Sequence, residues 1–280
     1  MVNYSEGTFE DEKYQHIFHQ SWVPEGKLKA VIILAHGLGE HSGRYATLIE
    51  FLNALGYAVY SWDHPGHGKS GGERRYIKKF SDFTDVMAEH FAIVKGQHPN
   101  LPAYLIGHSM GGLISATYLL EHQDDFDGVI FSAPAIDVAG GLNPFVHMGG
   151  RLLSALIPRL GFQSFKGNMV CRDPELMEVS MKDPLSSYGK TTIRLLAELV
   201  DAMKRVKAEA HTLTLPILML QGTDDVIVDP EGATRLYNLA TSEDKTLKIY
   251  EGFYHELFND PEKERVLEDV KTWLESRVTS

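Results

Sequence analysis

The chain has 280 residues, 43% hydrophobic and 23% charged, with a formal net charge of −11. This length supports one large domain or two small ones with a substantial core, and the acidic balance excludes general nucleic-acid binding. A lone cysteine, Cys171, excludes an intrachain disulfide and suits a reducing compartment.

The opening stretch MVNYSEGTFEDEKYQ is polar and acidic, without the basic start and apolar core of a secretory signal. No run of about 18 apolar residues suggests a spanning helix. A cytoplasmic location is therefore expected, with contact to membranes at the periphery only. The first residues and the following EKYQHIFHQSWVP read as antiparallel edge strands. Short apolar runs then recur at 30–37, 57–68, 103–109, 128–134, 216–222 and 247–252, each ending at Gly, Pro, Asp or Ser. Helical patterns lie between or after them at 45–55, 80–95, 111–122, 232–240 and 263–277. Continuous apolar strands alternating with helices predict an α/β architecture, a mostly parallel sheet covered on both faces.

The alternation stops between about 138 and 211. Residues 1–137 and 212–280 therefore read as two parts of one core, with 138–211 inserted as a helical cap over the carboxyl edge of the sheet. Within the cap, a helix is predicted from near Pro144 to before Pro158, carrying Phe145, Val146, Met148, Leu152, Leu153, Leu156 and Ile157. A second, amphipathic helix has apolar residues at 193, 196, 199, 200, 203 and 206.

The segment LIGHSMGGL places Ser109 between Gly107 and Gly111, after a predicted strand and before a predicted helix. This is the G-x-S-x-G elbow, in which small neighbours permit a sharp turn and leave the serine Oγ exposed. A serine needs a base to become a nucleophile, and on this type of fold an acid and then a histidine follow it in the chain. TDDVIVDP, after the strand at 216–222, offers Asp224, Asp225 and Asp229; the G-x-x-D spacing from Gly222 favours Asp225. FYHELFND, after the strand at 247–252, offers His255 as the base. The oxyanion donors expected are the backbone N–H groups of Met110, after the nucleophile, and Leu38, in AHGLGEHSG.

Other motifs fail on inspection. GLGEHSG brings its third glycine one position late for a dinucleotide loop, and HPGHGKS has Asp63 where a P-loop needs its first glycine. HELFN has Asn259 where a zinc-protease helix needs a second histidine. His64 and His67 read as hydrogen-bonded loop histidines. No metal and no cofactor are expected.

The pieces HGLGEHSGRY, DHPGHGKSGGER, GHSMGG, QGTDDVIVDPEGA and KTLKIYEGFYHEL are together similar to the monoacylglycerol lipases of the α/β-hydrolase superfamily. The resemblance covers the core well and the cap poorly. It implies the α/β-hydrolase fold and hydrolysis of monoacylglycerols to glycerol and fatty acid, with broader carboxylesterase activity. The implied catalytic residues are Ser109, Asp225 and His255, with Leu38 and Met110 as oxyanion donors. It places Arg44 near the glycerol end of the pocket and an acidic cap residue there too, either Glu175 or Glu178. The chain departs from some members at Phe258, where they carry a second histidine.

A lysophospholipase would use the same triad and need basic cap residues; Lys166, Arg172 and Lys182 are available. An acyl-ligand-binding module without catalysis is the non-enzymatic alternative, and the complete triad argues against it. Leu152 and Leu153 are expected to line the acyl channel and its mouth, where the cap would touch a membrane or micelle surface.

Overall fold

The computed structural model describes residues 1–137, 144–163, 170–187 and 189–278, without the side chains of 144–149 and 163. Strands β1 (Val2–Asp11) and β2 (Gln15–Pro24) form an antiparallel hairpin, and β2 pairs antiparallel with β4 (Tyr57–Trp62). β3 (Ala30–Ala35), β5 (Ala103–His108), β6 (Gly128–Ser132), β9 (Ile217–Gly222) and β10 (Lys245–Tyr250) continue the sheet in parallel. The order is β1-β2-β4-β3-β5-β6-β9-β10. β3 to β6 and β9 are buried along their whole length, which their unbroken apolar sequences require.

Alternate residues feed two cores. Val31, Ile33, Leu105, Phe131 and Met219 point to the face covered by α2 (Ser81–Gln97), α3 (Met110–His122) and α6 (Ile193–Glu209). Ile32, Leu34, Ile106, Ile130 and Leu220 point to the other, under α1 (Ala46–Ala54) and α8 (Lys263–Val278). α7 (Glu231–Leu239) follows β9. No helix among the described residues is long and apolar enough to cross a membrane.

After β3 the chain builds β4 on one side and then crosses to build β5 on the other. A crevice opens beyond the carboxyl ends of strands at such a reversal. Ala35 pairs with Gly107, so the two strand ends are flush and their following loops meet.

Between β6 and β9 the chain leaves the sheet. It forms α4 (Pro144–Leu156), the short strand β7 (Gly161–Gln163), α5 (Pro174–Lys182), the short strand β8 (Thr191–Thr192) and α6. β7 and β8 pair antiparallel. The side chains of Phe145, Val146 and Met148, the whole of Lys166 and the expected boundary at 138 lie outside the described residues.

Two expectations are corrected and one element is added. β4 stops at Trp62 because Asp63 turns the chain: its carboxylate accepts from Ser42 N–H at 2.8 Å and Lys69 N–H at 2.7 Å. The buried stripe of α6 runs through Leu195, Leu199, Ala202, Met203 and Val206, with Leu196 and Val200 only half-buried at its flank. α5 was not anticipated, although Asp173-Pro174 is a start signal: the Asp173 carboxylate accepts from Glu175 N–H at 2.9 Å and Leu176 N–H at 3.2 Å.

α3 presses closely on the sheet. A Cβ on Gly111 would lie 2.1 Å from the Ala35 carbonyl oxygen, and one on Gly107 would lie 2.5 Å from Ser115 Oγ. Backbone cannot yield as a flexible side chain would. Gly111→Ala is therefore expected to lower unfolding stability by about 1–3 kcal/mol, as for other overpacked sites. Urea denaturation checks it; an unchanged midpoint would mean that the contact is slack.

Candidate active site

The β5–α3 turn holds Ser109 at φ 54° and ψ −118°, a strained backbone for a residue with a side chain. Its own N–H is taken up by the Ser132 carbonyl at 3.0 Å, and its carbonyl accepts from Leu113 and Ala135 N–H at 3.2 and 3.0 Å. These bonds fix the turn and leave Oγ facing the crevice side of the loops. There His255 meets it, with Nε2 2.8 Å from Ser109 Oγ and Nδ1 2.6 Å from Asp225 Oδ2. All three residues are buried.

The sheet brings His255 and Asp225 together because β9 and β10 are neighbours. A Cβ on Gly222 would lie 2.3 Å from the Phe253 carbonyl oxygen, so the two loops after these strands touch. Thr223 N–H donates to Tyr250 O and Asp224 N–H to Phe253 O, both at 3.0 Å. Asp225 Oδ1 accepts from Ile227 and Val228 N–H at 2.8 and 3.1 Å, while Oδ2 also accepts from Gln221 at 3.1 Å. Asp224 is exposed and accepts only from the neighbouring Thr223 hydroxyl among the described side chains; Asp229 caps Glu231 N–H.

Burial opposes ionisation of Asp225, but the His255 ring and the backbone donors outweigh it and hold the carboxyl below its ordinary value. Burial likewise opposes the imidazolium of His255. Asp225 overcomes it, helped by Glu40 and Glu256, and His255 is raised above 6.5. With Nδ1–H donated to Asp225, Nε2 presents its lone pair to the serine.

The loop after β3 lies against the nucleophile: a Cβ on Gly37 would stand 3.2 Å from Ser109 Cβ. Neither Leu38 N–H nor Met110 N–H has an acceptor among the described residues. The loop is set by two buried histidines. His36 Nε2 accepts from His64 N–H at 2.9 Å, which leaves its Nδ1–H to donate to Gly37 O at 2.8 Å and orient the Gly37–Leu38 peptide. His64 Nε2–H returns a bond to His36 O at 3.0 Å. Burial pushes both rings down, so the neutral forms that this pattern needs prevail. His67 Nδ1 likewise bonds Pro65 O at 3.0 Å, and no metal-binding cluster exists among the described residues.

Sequence reasoning missed an acidic shell, buried at Glu256 and partly buried at Glu40, behind His255. Glu40 accepts from the Tyr45 hydroxyl at 2.7 Å. Burial opposes its ionisation, but His108, Arg44 and Tyr45 outweigh it and hold the carboxyl well below its ordinary value. Arg44 Nη2 donates to both oxygens of Glu256 at 2.8 and 2.9 Å, so the structure ties Arg44 to the residue after His255. These residues and Phe258 line a small cavity of about 10 Å³, room for about one water. Glu175 and Glu178 are not brought to the triad. Met177 and Ser180 take the inner side of α5, which turns both glutamates outward, and Glu178 pairs with Lys182. Leu152 and Leu153 are exposed on α4.

A family model described as Serine aminopeptidase, S33, matches residues 26–262. The chain is 33% identical over 274 residues to the monoacylglycerol lipase of Mycolicibacterium smegmatis, covering 98% of each. It is 34% identical over 269 residues to the monoglyceride lipase of Homo sapiens, covering 95% of this chain and 89% of that one. The chain belongs to the monoacylglycerol lipase family. Its fold is the α/β-hydrolase fold: the crystal structure of Paleococcus ferrophilus monoacylglycerol lipase superposes with a TM-score of 0.82 at 31% identity, covering 99% of each chain.

The electrostatics of this family member can be titrated directly. His255 is expected to titrate above 6.5, because Asp225 outweighs burial. The neutral base is then lost as pH falls through that raised value. Asp225→Asn removes the main stabilising charge and should move the titration to lower pH. NMR of the His255 ring protons follows both; an unmoved or raised value in the variant would contradict the stated cause.

Proposed function

We propose that the chain is a serine ester hydrolase that cleaves monoacylglycerols to glycerol and a free fatty acid, and accepts other acyl esters more weakly. The observation that carries this reading is His255 bridging Ser109 and Asp225 at the carboxyl edge of the sheet. The end-to-end similarity to relatives named monoacylglycerol or monoglyceride lipase supports the substrate class.

Ser109 Oγ attacks the ester carbonyl while its proton passes to His255 Nε2. The carbonyl oxygen, now an anion, takes hydrogen bonds from Leu38 and Met110 N–H. Asp225, Glu40 and Glu256 surround the new imidazolium with negative charge. Collapse breaks the ester C–O bond, and His255 returns the proton to the departing glycerol oxygen. Water then attacks the acyl-serine with His255 as base, releasing the acid and restoring Ser109 Oγ–H.

Residues 138–211 act in this reading as a cap. Leu152 and Leu156 are 66% and 73% exposed, and Phe162 and Val179 are exposed with them. So much apolar surface suits an acyl-channel rim that rests on a membrane or micelle. A phosphate-bearing lysophospholipid finds less support from two of the three basic residues it would use, Lys166 lying outside the described residues. Arg172 is bound to Asp260 and Glu262, and Lys182 to Glu178. Peptide cleavage from a free amino end finds little support either, since Glu40 and Glu256 already have Tyr45 and Arg44 as partners.

Hydrolysis of a panel of mono-, di- and triacylglycerols and a lysophospholipid tests the substrate class; a preference for any ester other than the monoacylglycerol would overturn it. Ser109→Ala is expected to abolish fluorophosphonate labelling and lower turnover by roughly 10⁴- to 10⁶-fold. Asp225→Asn should cost on the order of 10⁴-fold and Asp224→Asn far less. The reverse ranking on one soluble ester would exchange the two aspartates.

A buried CH₂ group is worth about 0.8 kcal/mol. Leu152→Asp and Leu153→Asp, checked for folding by thermal transition, should therefore impair long-chain monoacylglycerol hydrolysis much more than that of a short soluble ester. Equal losses on both would make these leucines structural.

A further inference from the structure

The two loops that carry the chemistry come from strands far apart in the sheet. The oxyanion loop follows β3 and the His255 loop follows β10, with β5, β6 and β9 between. Strand pairing sets where each loop starts. It does not set where each loop ends, and loops are the least stable parts of a fold. Catalysis nonetheless needs Leu38 N–H and His255 Nε2 held to a fraction of an ångström about one carbonyl.

On the inner side a direct link exists. Arg44, just after the oxyanion loop, grips Glu256, next to His255. On the open side, the inserted segment 170–187 reaches both loops. At its start, Val170 O accepts from Glu256 N–H at 2.8 Å. Arg172 then clamps the buried Asp260, with Nε on Oδ2 at 2.7 Å and Nη2 on Oδ1 at 2.6 Å, and also reaches Glu262 at 3.0 Å. Its guanidinium lies 4.6 Å from the centre of the Phe253 ring. This two-bond fork fixes direction as well as distance. At the other end, Asp183 Oδ2 accepts from His41 Nε2–H at 2.6 Å. His41 Nδ1 accepts from Gly43 N–H at 3.2 Å, so the ring is held at both nitrogens. Ser187 N–H donates to Gly39 O at 2.8 Å, one residue after Leu38. Between the two anchors runs α5, a rigid strut of about 13 Å, seated by Met177 and Ser180 and capped by Asp173.

We infer that residues 170–187 are a strap across the active site that holds the oxyanion loop and the His255 loop at a fixed separation, with Arg172 and Asp183 as its positioning residues. Together with Arg44–Glu256 the strap closes a ring of tethers around the triad. A strap has a property that separate contacts lack. Loosening either end slackens the whole link, so loosening the second end adds little.

The test is a double-mutant cycle with Arg172→Met and Asp183→Ala, since an asparagine Oδ1 could still accept from His41 Nε2–H. Turnover is measured on a short soluble ester, whose chain is too small to reach the exposed leucines of α4, and is expressed per active site titrated with a fluorophosphonate. Thermal transitions identify the folded fraction. Each single variant should lose about tenfold in kcat with KM nearly unchanged, as expected when catalytic groups are misplaced by part of an ångström. The double variant should lose no more than the worse single one. Independent contacts would instead multiply their effects. Losses that multiply, losses confined to KM, or single variants with unchanged kcat would each overturn the strap. Arg172→Lys keeps the charge but not the fork; it replaces Arg172→Met in the cycle if that variant does not fold, and is judged by the same rule.

The inference rests on the Ser109–His255–Asp225 reading. A wild-type chain left unlabelled at Ser109 would refute that reading and the strap with it. Normal wild-type labelling with multiplying losses would refute the strap alone.

Discussion

The backbone of Ser109 is the constraint on which the site depends. A residue with a side chain held at φ 54° carries a local cost of order 1–3 kcal/mol, which the surroundings must offset. They do so with three backbone bonds, to Ser132, Leu113 and Ala135, and with glycines at 107, 111 and 112 that admit neighbours closer than any Cβ allows. The strain is useful. A relaxed turn would carry Oγ away from His255, and Met110 N–H would no longer head a helix beside it. Gly111 lets α3 sit on the end of β3, which is how the oxyanion loop comes to lie beside the nucleophile.

Charge is the second organising feature. Two buried carboxylates, Asp225 and Glu256, and the partly buried Glu40 gather round one imidazole. Buried acids are tolerated only when paired. Asp225 has His255 and three donors; Glu256 has Arg44 and Asn259; Glu40 has Tyr45. His36 and His64 are kept neutral by burial, and His108 is pushed down to about 4. The field therefore favours a positive charge at His255, where proton transfer from Ser109 creates one. Arg44 serves two ends at once, since its partner Glu256 also carries the peptide N–H that meets the inserted segment.

The inserted segment divides by environment. Residues 170–187 are bonded into the loops of the core through Arg172, Asp183 and Ser187. The end of α4 instead turns leucines to solvent. These are different jobs for neighbouring parts of one insertion, and Arg172 and Lys182, basic in the sequence, have acidic partners in the fold.

The sequence alone determined the alternating α/β order, the elbow at Ser109 and the order of serine, acid and histidine along the chain. These follow from local rules: apolar runs of strand length, glycines where the backbone must turn, and polar residues just beyond strand ends. Through its spacing from Gly222 it also favoured Asp225 among three neighbouring aspartates. What it could not hold were relations between segments distant in the chain. Arg44 and Glu256 are 212 residues apart and Arg172 and Asp260 are 88 apart, and no spacing rule links such pairs. The inward or outward sense of Glu175 and Glu178 depended on a nine-residue helix too short for its period to be read. Only the tertiary structure decided these points, because a buried ion pair or a helix face is fixed by what packs opposite it, and the local sequence does not contain that partner.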